Sequence, residues 1–163
     1  KLSSHEYEKR RADYFYSLGL YGRSASMYKR ILDNGDGRSL SHEFRGKVWN
    51  NLGACYGELF SFQKAMDAYV CAWNEKPEAA YLKGMYFLTK LDPELSMKDR
   101  CRELLASQDT EGWDREFNEA LARAGQTGPA VRLQEIFDRD PEKRLEGAAK
   151  VLNQWKLEYR KML

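Results

Sequence analysis

Residues 49–77 read WNNLGACYGELFSFQKAMDAYVCAWNEKP, and their pattern indicates two helices joined by a short turn. Trp49, Leu52 and Tyr56 are spaced i, i+3 and i+7, so they share one face of a helix. Pro77 cannot continue a helix and lies just beyond the end of the second one. The stretch is therefore predicted to be an antiparallel helical hairpin with an apolar inner face.

This hairpin resembles the tetratricopeptide repeat (TPR), whose pattern is W-x2-L-G-x2-Y, then A-x3-F, then A and P. The matching residues are Trp49, Leu52, Gly53, Tyr56, Ala65, Tyr69, Ala72 and Pro77, with Tyr69 in place of the second aromatic. The resemblance implies an all-α fold, a TPR-like α-solenoid of helix-turn-helix hairpins (an alpha-alpha superhelix). It also implies a protein-binding role, and it names no ligand.

Weaker copies of the pattern flank the best repeat, which covers residues 46–79. Degenerate repeats are predicted at 5–36 and 78–108. In the first of them, the small and aromatic positions are taken by Ala12, Phe15, Ser24, Tyr28 and Ile31, while Glu8 and Arg11 replace the usual Trp and Leu. We therefore expect TPR-like hairpins over 3–108 and a C-terminal helical hairpin over 109–163 that packs on the solenoid end.

Local signals predict where several helices begin and end. The candidate N-cap residues are Ser3 or Ser4, Ser39 or Ser41, and Ser61. Gly19 and Gly22 are predicted to bracket the first turn, and residues 94–107 are predicted to form a short helix.

The C-terminal region carries a heptad pattern over a predicted helix at 142–161. Its seam residues are Leu145, Ala148, Leu152, Trp155, Tyr159 and Met162. We expect this seam to pack on segment 111–137, which is either one helix or two, and so to cap the solenoid. The alternative is a dimerisation helix.

The composition restricts the class of function. The 163 residues carry a net charge of only +2, which disfavours a purely electrostatic nucleic-acid binder. Hydrophobic residues make up 42% and no apolar run is long enough to span a membrane. Three scattered cysteines without a C-x-x-C motif favour reduced thiols and a cytoplasmic location. Because the chain begins with Lys1 rather than Met, we expect it to be a domain of a longer protein.

Candidate binding residues follow from the TPR resemblance, because the first helix of each repeat lines the concave side in that family. The residues carried over are Lys9, Asp13, Tyr16, Lys47, Asn50, Asn51, Ala54, Glu58 and Lys83, with Met85 and Lys90 as further candidates. The Asn51 amide can hydrogen-bond the backbone of an extended peptide. The alternative interpretation of these polar residues is an ordinary solvated surface.

The two-carboxylate clamp that some TPR proteins use for chaperone C-termini is not predicted here. Lys9 and Asn51 match its pattern, but Asp13 replaces an asparagine and would repel a carboxylate. Tyr81 and Met85 stand where the clamp needs a basic pair. We therefore expect a different ligand in the groove.

No catalytic, metal or cofactor site is predicted. His5 and His42 lie outside any nucleophile-and-base pattern, and no phosphate-binding glycine loop occurs. The loop 34–37 lacks the ligand spacing of a calcium site. The remaining alternative is RNA binding through a basic and aromatic surface made of Arg10, Arg11, Tyr14, Tyr16, Tyr21 and Arg23 and the basic residues of the last helix.

Overall fold

The computed structural model describes residues 3–34 and 40–124, and this part of the chain is all-helical, without a strand. Its seven helices are α1 (Ser4–Ser17), α2 (Tyr21–Asp33), α3 (His42–Glu58), α4 (Phe62–Glu75), α5 (Ala79–Leu91), α6 (Asp99–Ala106) and α7 (Glu111–Ala124). The expected all-α class is confirmed for these residues. None of these helices is long and apolar enough to cross a bilayer.

The chain divides into two compact units, residues 1–88 and 89–163. In the first unit α1 packs on α2, α2 on α3 and α3 on α4, and α1 also touches α3. In the described part of the second unit, the buried apolar side chains are Leu95, Cys101 and Leu105. Sequential packing of neighbouring helices is therefore the organising feature of the first unit.

Serine side chains begin α1 and α3 as predicted. Ser3 and Glu6 form a reciprocal capping box, with the Glu6 amide 3.2 Å from Ser3 Oγ and the Ser3 amide 2.9 Å from Glu6 Oε2. At α3, Ser41 Oγ accepts a hydrogen bond from the Phe44 amide at 3.1 Å. Both caps satisfy amides that have no partner within the helix.

The turns that join α1 to α2 and α3 to α4 share one backbone conformation. In each turn the second residue has a positive φ, 77° at Gly19 and 56° at Phe60. A bond closes each turn by reaching back five residues, from the Leu20 amide to Phe15 O at 3.0 Å and from the Ser61 amide to Tyr56 O at 2.8 Å. These are Schellman-type helix ends.

This turn geometry corrects two sequence predictions. Gly22 lies inside α2 and not at the edge of the turn, because the helix already begins at Tyr21. Ser61 occupies the N-cap position of α4, but its side chain makes no capping hydrogen bond. The compact Schellman turn leads directly into the next helix, so side-chain capping is replaced by the turn's own backbone bonds.

A buried serine joins three helices of the core. Ser24 Oγ donates to the carbonyl of Ala12 at 2.7 Å, and Cys55 Sγ donates to Ser24 Oγ at 3.5 Å. Ser24, Ala12 and Cys55 are all fully buried, so the predicted small positions lie where α1, α2 and α3 approach most closely. In the best repeat, Leu52, Gly53, Ala65 and Ala72 are likewise buried.

Tyr69 of α4 lies between two glycines. A Cβ built on Gly53 would lie 3.0 Å from the Tyr69 ring, and one on Gly84 would lie 2.7 Å from it. The absence of side chains at these two positions therefore lets α3 and α5 approach the same ring closely.

An ion pair joins the start of α3 to the end of α4. Glu75 Oε1 accepts from Arg45 Nε at 2.8 Å, and Glu75 Oε2 lies 2.7 Å from His42 Nδ1. Desolvation alone would raise the pKa of the Glu75 carboxyl, but the hydrogen bonds from Arg45 and His42 together outweigh it and lower that pKa.

Two predictions for α5 and α6 are wrong. Met85 is only 1% exposed, so it belongs to the core and not to a binding surface. The predicted helix at 94–107 begins only at Asp99, because the chain first turns after Asp92, whose side chain accepts from the Glu94 amide at 3.1 Å. Pro93 in this turn is consistent with a break in the helix.

Several predictions concern segments outside the described residues. They are the loop 34–37 beyond Asn34, the continuation of 111–137 past Ala124, and the helix at 142–161 with its heptad seam. The capping and dimerisation alternatives for that helix stay predictions.

Candidate functional site

A pocket of about 240 Å³ opens between the inner faces of α1, α2 and α3. Its described lining consists of Asp13, Tyr16, Tyr28, Asn51 and Ala54. Four of these five were predicted as binding residues from their positions on first helices, and the structure brings them together around one cavity. A cavity of this size has room for one side chain of a partner rather than for a drug-sized ligand.

The wall of the pocket is a polar network centred on Asp13. Asp13 Oδ1 accepts hydrogen bonds from the Tyr28 hydroxyl and from Asn51 Nδ2, the latter at 3.1 Å. Asp13 Oδ2 forms an ion pair with Lys9 Nζ at 3.0 Å. Both oxygens of this carboxylate are therefore occupied, and its charge is compensated within the network.

Asn51 also makes more internal hydrogen bonds than its sequence position indicated. Its amide nitrogen bonds Asp13 and lies 3.4 Å from the Tyr28 hydroxyl, while its oxygen accepts from Asn50 Nδ2 at 3.4 Å. The network links α1, α2 and α3 and gives the pocket a fixed wall. A peptide that used this amide would have to compete with these internal bonds.

A second part of the site is the corner formed by Tyr16, Tyr21 and Glu58. The rings of Tyr16 and Tyr21 meet edge to face with centroids 5.1 Å apart. Glu58 is the last residue of α3 and lies one turn beyond the pocket residue Ala54. Its carboxyl lies beside the Tyr16 hydroxyl.

The protonation properties of this region reflect burial beside carboxylates. Burial raises the pKa of Glu58, and the neighbouring Tyr16 hydroxyl opposes that effect only in part. Part of the Glu58 side chain remains in contact with solvent. Burial first, and the nearby Glu58 charge second, raise the pKa of both Tyr16 and Tyr21.

Five of the nine predicted binding residues do not line the pocket, namely Lys9, Lys47, Asn50, Glu58 and Lys83. Lys47 is exposed and pairs with Glu43 at 3.5 Å along the same helix. Lys83 lies on α5, half-buried. The predicted residues thus fall into two groups, those that line the pocket and those that do not.

Lys9 and Asn51, the residues that matched the carboxylate clamp, both bond to Asp13. Their hydrogen-bonding groups are directed at an internal carboxylate. This geometry agrees with the expectation that a different ligand is bound.

In the described part of the chain, two of the arginines suggested for RNA binding lie over aromatic rings. Arg11 lies over the Tyr7 ring at 6.0 Å, and Arg23 lies over the Phe15 ring at 5.1 Å. Tyr16 meanwhile lies beside the Glu58 carboxyl. The aromatic residues beside the pocket therefore face a carboxylate, which is unfavourable for phosphate.

Sequence reasoning missed Tyr28 and Tyr21 as parts of this site. Tyr28 had been assigned to the core, and it is indeed only 1% exposed, but its hydroxyl reaches the pocket network. The available signal was chemical, because a buried tyrosine needs a hydrogen-bond partner that phenylalanine does not. Tyr21 carried no such signal, since its position follows from the turn at Gly19.

The described residues do not assemble a metal site, as no group of three histidine, cysteine or acidic side chains converges among them. The three cysteines are free thiols. Burial raises the pKa of the Cys55 thiol to about 11, which keeps it protonated near neutral pH and poorly suited to nucleophilic attack.

The chain was compared with known protein families, with curated proteins and with solved structures, and none of these comparisons found a match. The function of this chain is therefore inferred from its residues and their arrangement.

Proposed function

We propose that the first unit is a non-enzymatic protein-interaction module, a scaffold or adaptor of TPR-like architecture that binds a peptide or partner helix along α1 and α3. The observation that carries this proposal is the shared pocket of Asp13, Tyr16, Asn51 and Ala54. These are residues that the TPR resemblance assigns to a concave binding surface, and they converge although they come from helices far apart in sequence.

Internal repetition supports the TPR-like architecture. Gly19 and Phe60 occupy the same place in the two Schellman turns, and they are 41 positions apart. Tyr28 and Tyr69 are also 41 positions apart. Tyr28 contacts residues of α1 and α3, while Tyr69 contacts glycines of α3 and α5. Each tyrosine therefore joins the first helices of successive hairpins, as expected for stacked repeats.

The experiment is a selection of random dodecapeptides displayed on phage against the whole chain. Selected peptides are then measured by fluorescence anisotropy with the wild type and with two substitutions. Ala54→Phe fills the pocket, whereas Ala80→Phe adds the same ring to an exposed position of α5. Circular dichroism establishes that both variants keep their helix content.

The proposal predicts that Ala54→Phe weakens binding of the selected peptides by at least about ten-fold, equivalent to about 1.4 kcal/mol, and that Ala80→Phe does not. Failure to select any peptide, or equal binding by wild type and Ala54→Phe, would overturn it. Binding measured at several salt concentrations distinguishes this proposal from the RNA alternative. Contacts to phosphates would make the affinity fall steeply with added salt. The proposed cellular location is the cytoplasm, where free thiols persist.

A further inference from the structure

The corner at Glu58 differs from the rest of the pocket in how its charge is compensated. Asp13 is bonded to Lys9, Tyr28 and Asn51. The neutral Tyr16 hydroxyl lies beside Glu58, and the described residues provide no ion pair to this carboxylate. The net negative charge of the site is therefore concentrated at Glu58.

The position of Glu58 on α3 adds to this negative potential. It is the last residue of the helix, where the carbonyl end of the helix dipole is itself negative. A carboxylate at this end is unfavourable for the isolated helix. A cation bound here would be attracted both by the side chain and by the helix terminus.

Aromatic rings complete the corner. Tyr16 lines the pocket beside Glu58, and its ring meets that of Tyr21 edge to face. Tyrosine rings attract cations through their negative faces, and a nearby carboxylate strengthens that attraction. Both tyrosines are half-buried, so each ring still presents surface to a ligand.

We propose that Glu58, Tyr16 and Tyr21 form a subsite for one cationic side chain, a lysine or an arginine, of a peptide bound in the adjoining pocket. This inference rests on the proposed peptide-binding function. The occupant is identified by charge complementarity, because a carboxylate whose charge is otherwise uncompensated stands beside aromatic rings. An acidic peptide residue would meet the uncompensated Glu58 carboxylate and would be repelled.

The test uses nonapeptide libraries that are random except at the central residue, which is lysine, arginine, norleucine or glutamate. Binding of each library to the whole chain is compared for wild type, Glu58→Gln and Asp67→Asn. Glu58→Gln keeps the size of the side chain. Asp67→Asn removes the same charge from an exposed position of α4.

We expect the wild type to retain the lysine and arginine libraries about ten-fold better than the norleucine library. Glu58→Gln should reduce that preference to about two-fold or less, and Asp67→Asn should preserve it. A second pair of variants tests the rings, because Tyr21→Phe keeps the aromatic face and should bind normally, whereas Tyr21→Leu should lose most of the preference.

The outcomes separate this inference from the function on which it rests. If the wild type retains all libraries equally, or prefers glutamate, the cation subsite is refuted while peptide binding stands. If Asp67→Asn loses the preference as fully as Glu58→Gln, general charge attraction replaces the subsite. If no library is retained at all, the peptide-binding function itself fails.

Discussion

At the scale of single residues, the hydroxyl of Tyr28 joins three helices. It donates to Asp13 of α1 and lies 3.4 Å from the amide nitrogen of Asn51 on α3. Burial first, and the bond to Asp13 second, raise the pKa of this hydroxyl, so it remains a donor at any ordinary pH. One oxygen atom therefore helps to hold α1 and α3 at a fixed separation around the pocket.

Replacing Tyr28 by phenylalanine tests this role. We expect Tyr28→Phe to lower the free energy of unfolding by about 1 to 2 kcal/mol, because a buried hydrogen bond to a charged acceptor is lost. Urea denaturation followed by circular dichroism measures the change. Tyr14→Phe is the matched control, since Tyr14 is 61% exposed and should change stability little. Equal effects of the two substitutions would contradict the assigned role.

Glu58 is predicted to lower the stability of the fold near neutral pH. Because folding raises its pKa, the ionised carboxylate opposes folding at pH values above that pKa, and the cost disappears as the pH falls below the unfolded value. Glu58→Gln should therefore stabilise the fold near neutral pH, by about 0.5 kcal/mol from the helix-terminus effect. The gain should shrink on acidification. A Glu58→Gln protein that is less stable than wild type at neutral pH would refute this prediction.

Part of the site was predictable from sequence, and the reason is the register of the repeat. Asp13 and Asn51 occupy corresponding first-helix faces, so the resemblance placed both on one surface. The hydrogen bond from Asn51 to Asp13 was not predictable, because it depends on the distance between two helices and joins residues 38 positions apart in sequence. The same holds for Tyr21, which reaches Tyr16 only through the turn between α1 and α2.

At the scale of elements, the two Schellman turns differ in one informative way. The first uses Gly19 at its positive-φ position, whereas the second uses Phe60, whose side chain disfavours that conformation. The Phe60 ring packs edge to face on Phe62 with centroids 6.0 Å apart. This ring contact offsets part of the backbone strain.

Two substitutions at Phe60 separate the strain from the ring contact. Phe60→Gly and Phe60→Ala lose the same ring, but only glycine adopts positive φ without penalty. We expect the glycine variant to be more stable than the alanine variant by about 1 kcal/mol. Thermal denaturation measures the difference. The same pair at Leu59, where φ is −84°, should show no advantage for glycine. Equal stability of the glycine and alanine variants at position 60 would mean that the turn imposes no strain at Phe60.

The packing of α5 against Tyr69 makes a second prediction at this scale. Gly84→Ala should lower the free energy of unfolding by about 1 to 3 kcal/mol, because the added methyl group would overlap the Tyr69 ring. Gly57→Ala meets open space and should gain up to about 1 kcal/mol in helix propensity. In a Tyr69→Ala background the cost of Gly84→Ala should vanish. If that cost persisted there, Tyr69 would not be its source.

Helix ends show which elements sequence could predict. Ser3 and Ser41 follow a local rule, in which a serine accepts a bond from an amide three residues later, and both were confirmed. The turn at Phe60 has a strained backbone whose strain is partly offset by ring packing, so its residue types do not predict it. The late start of α6 at Asp99 likewise depends on the turn made by Asp92.

At the scale of the whole molecule, the stability of the chain should depend on pH through Glu75. Folding lowers the pKa of this carboxyl below its ordinary value of 4.5, so its contribution is present above that value and is lost as the pH falls through the folded pKa. Glu75→Gln should therefore reduce the free energy of unfolding near neutral pH by about 1 kcal/mol. The difference from wild type should vanish once the pH has fallen below the folded pKa.

Denaturation at a series of pH values checks this dependence. Glu43→Gln is the control, because Glu43 is exposed and its pairs with Lys47 and Lys76 are 3.5 Å and 3.7 Å long. A Glu75→Gln deficit that stayed constant from neutral to acid pH would assign the effect to packing instead of charge.

The placement of Tyr69 between Gly53 and Gly84 has a consequence for motion. An aromatic ring in such close contact with two helices can rotate by half a turn only when its neighbours move apart, so its two edges should give separate nuclear magnetic resonances at low temperature. The rate at which those signals merge on warming would time the transient opening between α3 and α5. The resonances of the Tyr69 ring would thus report how often successive hairpins separate.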